Sequence, residues 1–271
     1  MYPQISDREF QDFQAFVHEQ LGIHLHAGKK ALVSGRLSKR LQHFQLSSFA
    51  AYFELIHSAQ GQGERQVCID LLTTNETYFF REPKHFEWLR QHAAAASGQA
   101  PLRVWSAASS SGDEAYSIAM VLAAHCAQPW QVLGSDISSR MLESARRAHY
   151  SMARARSIPP DYLKRFCLRG TGTQEGTFLV RRELREQVDF LQLNLNTTLP
   201  SLGQFDIIFL RNVMIYFDTA TKQQVVQRLL NHLKPGGHLC IGHSESLNDL
   251  VHPLVAVAPA IFRLPDSQAP A

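Results

Sequence analysis

"LRVWSAASSSGDEAYSIAM", Leu102–Met120, decides the fold. An apolar run with Val104 and Trp105 stops at Ser106, crosses small residues to Gly112, and resumes at helical spacing after Asp113 and Glu114. Strand, small-residue turn and helix in that order open a βαβ unit. The alternation continues downstream. "QVLGSD" (Gln131–Asp136), "VDFLQLN" (Val188–Asn194) and "FDIIFLRN" (Phe205–Asn212) read as strands, and Ser139–His149 and Thr219–Leu233 as helices. "HLCIGH" (His238–His243) follows a "KPGG" turn, and "LVAVAPAIFRL" (Leu254–Leu264) reads as a closing hairpin. The pattern predicts an α/β fold with a doubly wound, mostly parallel sheet.

One segment breaks the rhythm. "RFCLRGTGTQEGTFLVRRELREQVDF" (Arg165–Phe190) has short strand-like runs between Gly170, Gly172 and Gly176. It predicts a small antiparallel β-subdomain at about 165–187, inserted between the second helix and third strand of the sheet. Upstream of Leu102 the period is helical. Ser6 and Glu9 form a capping box, and Phe10, Phe13, Phe16, Val17 and Leu21 follow on one face before Gly22. "KKALVSGRLSKRLQHF" (Lys29–Phe44) predicts a second helix with Val33, Leu37, Leu41 and Phe44 inside. Further helices follow Ser48, span about Glu64 to Leu72, and start at Pro83. The expected organisation is an all-helical N-terminal domain (1–92), a linker "AAAASGQAP" (93–101) and an α/β domain (102–271).

Composition narrows the class. The 271 residues exceed what one core usually organises, and 45% hydrophobic with 19% charged is ordinary for a globular protein. A net charge of +3 is too mild to indicate nucleic acid. Cys68, Cys126, Cys167 and Cys240 form no CxxC pair, so the sequence offers no zinc ribbon or redox motif and no metal is expected. No uncharged apolar run reaches the roughly 18 residues of a membrane span. "MYPQISDREF" has no apolar signal region, so a cytoplasmic protein is expected. Nothing in the sequence demands more than a monomer.

In open α/β sheets, ligands bind beyond the C-terminal strand ends. Asp136 ends the second strand 24 residues after Gly112, which places it to accept hydrogen bonds from both hydroxyls of a ribose, although it could equally cap the helix that follows. The loop lacks G-x-G-x-x-G, and Asp113 and Glu114 would repel a pyrophosphate at the helix N-terminus. The loop suits a nucleoside with a cationic end, as in S-adenosylmethionine. Asn194 could then read an adenine edge and Leu195 pack on its face. Asn212 opens "NVMIYF", where a methyl acceptor would lie. Tyr216 reads as functional, and Met214, Ile215 and Phe217 as core. "GHSES" (Gly242–Ser246) lacks the nucleophile-elbow pattern and reads as a polar strand-end turn.

Two features lie outside the sheet. "TTNETYFFREPKHF" (Thr73–Phe86) sets Asn75, Thr77 and Arg81 among Tyr78, Phe79 and Phe80, with Glu82 as a candidate cap for the next helix. The second helix carries Lys29, Lys30, Arg36, Lys39 and Arg40, with no acid between Glu19 and Glu54. That run reads either as a solvated face or as a surface for an acidic partner. It lacks the stacking aromatics of a nucleic-acid groove.

Taken together, "TTNETYFFRE", "WSAASSSGDEAYSIAM", "LRNVMIYF", "PGGHLCIGHSESL" and "RGTGTQEG" resemble the chemotaxis receptor methyltransferase family, often called CheR, along nearly the whole chain. The resemblance implies a Rossmann-like S-adenosylmethionine-dependent methyltransferase that esterifies chemoreceptor glutamates and releases S-adenosylhomocysteine. It implies that Asn75, Thr77 and Arg81 reach the cofactor, that Glu114 takes its amino end, and that Arg211 and Asn212 line the same pocket. Arg81 and Tyr216 would lie beside the reacting atoms. It also implies that the basic helix meets the receptor's cytoplasmic helical bundle and that the β-subdomain grips a receptor C-terminal peptide. The family commonly has proline at the position of Ala115 and glutamate at that of Asp113. A methyltransferase for nucleic acid or a small molecule, and a non-catalytic receptor-binding module, are the alternatives.

Overall fold

A computed structural model describes residues 3–266; the outer ends of the two expected domains, 1–2 and 267–271, lie outside the described residues. The chain opens with four helices, α1 (Asp7–Leu21), α2 (Lys30–His43), α3 (Phe49–His57) and α4 (Gln62–Leu72). The capping box forms in α1. Ser6 Oγ accepts the Glu9 N–H at 3.2 Å, and Glu9 Oε2 accepts the Ser6 N–H at 2.8 Å. The helix stops at Gly22, whose left-handed φ of 70° suits the residue without a Cβ. A Cβ there would also come within 2.5 Å of Thr221 Cγ2, so the end of α1 is pressed against the α/β half. Phe13 packs edge-on against Phe49 and Phe53 at the centre of the helical core. Phe44, expected on the inner stripe of α2, is exposed instead, because the helix ends at His43 and Gln45 turns left-handed.

The basic run on α2 divides in the fold. Arg40 forms a two-pronged pair with the buried Glu64, Nε to Oε1 at 2.7 Å and Nη2 to Oε2 at 2.5 Å, and Tyr52 donates to the same carboxylate. Arg36 donates to the carbonyls of Leu72 and Thr73, and Lys30 pairs with Asp7. Of the five, Lys29 and Lys39 alone make no side-chain hydrogen bond or ion pair among the described residues. Arg40→Met leaves Glu64 without its counter-ion and is expected to cost about 2 kcal/mol, discounted for the partial exposure of the arginine. The check is thermal denaturation, with a fall of about 5 °C in midpoint expected.

Helix α5 (Pro83–Ala95) was grouped by its sequence with the helical domain. Its buried Phe86, Leu89 and Ala93 join the apolar cluster of the sheet instead, against the helix after β1. Then come β1 (Leu102–Ser106), α6 (Asp113–His125), β2 (Trp130–Asp136), α7 (Ser139–Arg147), β3 (His149–Ser151) and α8 (Pro160–Phe166). They are followed by β4 (Cys167–Arg169), β5 (Thr177–Val180), α9 (Arg182–Arg185), β6 (Val188–Gln192), β7 (Phe205–Leu210) and α10 (Thr219–Leu230). The chain closes with β8 (Leu233–Ile241), β9 (Val255–Ala258) and β10 (Ile261–Arg263).

The main sheet has the order β6-β2-β1-β7-β8-β10-β9, parallel except where the β9–β10 hairpin joins β8. Ser106 at the end of β1 is in register with Gly134 of β2 and Phe209 of β7. The strand order reverses at β1, so the crevice of a doubly wound sheet opens over the C-terminal ends of β1, β2 and β7. A three-stranded antiparallel sheet, β3-β5-β4, forms the inserted subdomain. It starts at His149, earlier than the sequence pattern predicts, because Ala148 turns left-handed and ends α7 there. The expected strand character after Val180 gives way to the short α9.

Candidate active site

Thr73–Glu82 crosses from the helical domain over the crevice. Phe79 is fully buried against Tyr150 and Phe178 of the β-subdomain, with ring centroids 5.0 and 5.7 Å away. Phe80 packs on Phe86 and Tyr162, and its N–H donates to Ser117 Oγ at 3.0 Å. Tyr78 is exposed, with the Arg81 guanidinium 5.7 Å from its ring centre. Two aromatics therefore anchor the segment and aim the polar residues between and beside them.

Those residues border a cavity of about 610 Å³. Asn75, Thr77, Arg81, Glu114, Asp136, Asn194, Leu195, Arg211, Asn212 and Tyr216, all singled out in the sequence, line it together. A volume in this range suits a small organic ligand. Asp136 accepts the N–H of Ser110 at 2.8 Å on one oxygen and that of Ser138 at 2.9 Å on the other. Burial raises its pKa, against the pull of those two bonds. Glu114 accepts from Ser106 Oγ at 2.7 Å and from Arg211 Nη1 at 2.8 Å. Asn194 borders the cavity, but its amide donates to the Gln20 carbonyl at 2.7 Å and accepts from the Asn196 N–H at 2.9 Å. Reading an adenine edge with that side chain would require one of these bonds to open.

The two acids at the start of α6 part company. Glu114 faces the cavity, whereas Asp113 is buried behind Ser111 and pairs with Arg154 at 2.8 Å. The charge that meets a ligand at this helix start therefore comes from Glu114 alone. Consecutive helical positions diverge by about 100°, so the sequence itself held the signal for this split. Met214 and Phe217 are core residues as expected, but Ile215 is half exposed and borders the cavity.

Sequence reasoning missed two carboxylates. Glu82 makes no capping bond for α5 and adopts a left-handed φ of 58°. Its carboxylate accepts from Arg211 Nη2 at 3.0 Å, Asn212 Nδ2 at 3.1 Å and the His243 N–H at 3.2 Å. Burial alone would raise its pKa, yet the bonds from Asn212 and Arg211 hold it below the usual glutamate value. Arg211 also donates to the Arg81 carbonyl, so one buried guanidinium ties Glu82, Glu114 and the crossing segment together. Glu245, within "GHSES", accepts the backbone N–H groups of Asn212, Met214 and Gly242 at 2.9, 2.7 and 2.7 Å. The motif thus shapes the Asn212–Tyr216 loop, with Asn212 itself at φ 58°. The fold also gathers ligand atoms of Glu82, His85 and His243 within 4.8 Å of one another. His85 is fully buried, its ring nitrogens have no hydrogen-bond partner among the described residues, and burial, then Arg211 and His243, push its pKa down to about 4.

A doubly wound sheet with Glu114 on the helix after its first strand, Asp136 at the end of its second, and a cavity between them and a helical domain suits an S-adenosylmethionine-dependent methyltransferase. Residues 75–258 match the model of the CheR methyltransferase, SAM binding domain, and residues 8–73 match the CheR methyltransferase, all-alpha domain. The chain is 44% identical over 252 residues to the chemotaxis protein methyltransferase of Escherichia coli K12, covering 91% of this chain and 87% of that one. It is 39% identical over 269 residues to the chemotaxis protein methyltransferase of Salmonella typhimurium LT2, covering 98% and 93%. It is 40% identical over 259 residues to chemotaxis protein methyltransferase 2 of Pseudomonas aeruginosa PAO1, covering 94% and 92%. The chain belongs to the CheR methyltransferase family.

Proposed function

We propose that the chain is a protein-glutamate O-methyltransferase that uses S-adenosylmethionine to esterify glutamate side chains of chemoreceptors. The observation that carries this is one cavity shared by Glu114, Asp136, Arg81 and Tyr216. The residues fit the cofactor. Each Asp136 oxygen accepts one protein hydrogen bond, leaving lone pairs for the two ribose hydroxyls. Glu114 receives an ammonium group, with Arg211 fixing its direction. Leu195 packs against the adenine, beside Asn194. Asn75 and Thr77 close the cavity from the crossing segment.

When bound, S-adenosylmethionine supplies a methyl group activated on a sulfonium and leaves as S-adenosylhomocysteine. The acceptor glutamate, with a pKa of about 4.3, is ionised at neutral pH and needs no general base. What remains for the protein is alignment, which is worth up to roughly 7–11 kcal/mol when complete. Arg81 orients the acceptor carboxylate, and Tyr216 and the exposed Ile215 wall its approach.

On the partner side, Lys29, Lys39 and Arg36, none of them paired with an acid among the described residues, are the cations of the basic run placed to meet an acidic receptor bundle. The open edge of β4, with Leu168 exposed, supports addition of a receptor C-terminal peptide as an extra strand. Such a tether would raise the local concentration of methylation sites. No described helix is long and apolar enough to cross a membrane, in keeping with a cytoplasmic site of action on the receptor.

Tritiated S-adenosylmethionine and receptor cytoplasmic fragments test the reading. Base-labile methyl ester on glutamate is expected. Label confined to RNA or small molecules would sink it, and failure to bind S-adenosylhomocysteine in calorimetry would remove its catalytic basis.

A further inference from the structure

We propose that Arg36, Arg140 and Arg154 form a second subsite, which seats a carboxylate of the protein substrate other than the one being methylated. The proposal rests on the glutamate-methyltransferase reading and adds to it a feature that selects among acidic substrates.

A cavity of about 520 Å³ adjoins the first, and Thr73 and Asn75 line both, so they form a common wall. Three arginines line the second cavity and no carboxylate does. They come from separate parts of the fold: Arg36 from α2, Arg140 from α7, and Arg154 from the 3-10 turn Met152–Ser157 beside the β-subdomain.

Two of the three guanidinium groups are fixed. Arg36 donates to the carbonyls of Leu72 and Thr73 at 3.2 and 3.1 Å. Arg154 donates to the Thr77 carbonyl and Ser111 Oγ, both at 3.0 Å, and pairs with Asp113 at 2.8 Å. Arg140 is exposed, and its guanidinium has no partner among the described residues. Asp113 offsets one of the three charges. Asp70 lies beneath, occupied by Ser139 Oγ, Gln66 and the Arg140 N–H. Burial and then Arg140 lower the pKa of Arg36, so these two cations face one another without full compensation. Two anchored guanidinium groups and one adjustable one match the flat, two-oxygen geometry of a carboxylate.

The neighbouring cavities suit a helical substrate. Side chains three or four residues apart on one helix lie about 5–6 Å from each other. One carboxylate can then enter the methyl-transfer cavity while a neighbour on the same helix face sits across the shared wall. Seating the neighbour sets the register of the helix and hence which glutamate is presented.

The test uses Arg140→Gln in the full chain, with a receptor fragment whose methylation site has acidic neighbours and a second fragment with those neighbours changed to glutamine. On the first fragment the variant is expected to raise KM about five-fold, in the range of a partly exposed charge pair. Its kcat should stay within two-fold, and its affinity for S-adenosylhomocysteine should be unchanged in calorimetry. On the neutralised fragment, wild type and variant should share one KM. An unchanged KM on the acidic fragment, or an equal rise on both, would overturn the subsite. A wild-type enzyme that forms no ester on either fragment would instead refute the glutamate-methyltransferase reading, and the subsite with it.

Discussion

Arg211→Met should abolish detectable binding of S-adenosylhomocysteine and destabilise the fold by about 3–5 kcal/mol, the usual result of removing one partner from a buried ion pair. The guanidinium is almost wholly buried and lies 2.8 Å from Glu114 and 3.0 Å from Glu82. Methionine fills much of the same volume against Phe86 but returns no charge. Both carboxylates would then repel each other with little solvent to screen them.

The pH dependence distinguishes this from a packing defect. In the wild type, Glu82 has its pKa held down, so it contributes stability above the unfolded value and loses it as pH falls through the folded one. In the variant, Glu82 would lose the arginine that helps to hold its pKa down and burial would dominate, so the penalty of its charge is full at neutral pH and fades toward the ordinary glutamate pKa of about 4.3. The gap in thermal midpoint between the two proteins should therefore narrow from pH 7 to pH 5. A constant gap, or no gap, would refute the bridging role.

Arg81→Ala should lower kcat by about a thousand-fold while leaving S-adenosylhomocysteine affinity within ten-fold. The loss is about 4 kcal/mol, a fraction of what full alignment can supply. Arg81 is held by one side-chain bond, Nη1 to the Glu76 carbonyl at 2.9 Å, and its remaining donors are available to the cavity. Its carbonyl, which Arg211 grips, persists in the alanine variant, so the crossing segment should stay in place. Turnover with receptor fragments, measured beside calorimetry, separates the two quantities. A kcat within three-fold of wild type would exclude the role.

The parts of the site visible in the sequence are those set by local pattern. Glu114 and Asp136 stand where a strand ends and a helix begins, positions fixed by periodicity and turn chemistry over a dozen residues. Phe79 and Phe80 were readable as anchors because aromatics in a polar segment need somewhere to be buried. Glu82 and Glu245 were not readable. Their partners are Arg211, about 130 residues away, and the Asn212–Met214 backbone, about 30 residues away, and only the completed sheet brings them together. The pairing of Arg40 was hidden for the same reason, since the acid that neutralises it lies on another helix. Ile215 looked like core in an apolar run, but the 3-10 turn from Met214 to Tyr216 points it outward.

The end of α1 carries a further consequence. The His24 N–H donates to the Tyr216 carbonyl at 2.8 Å, Ile23 bridges to Phe217, and the amides of Asn194 and Asn196 grip the carbonyls of Gln20 and Glu19. The helical domain is thus joined to the α/β half by the crossing segment, by the contacts of α4 with α7, and by this clasp. It supports Tyr216 from outside. The protein is therefore poorly divisible into a docking cassette and an independent engine. A grafted helical domain would have to bring its own clasp, and a truncated chain that began at the sheet would inherit a site with one wall unmoored.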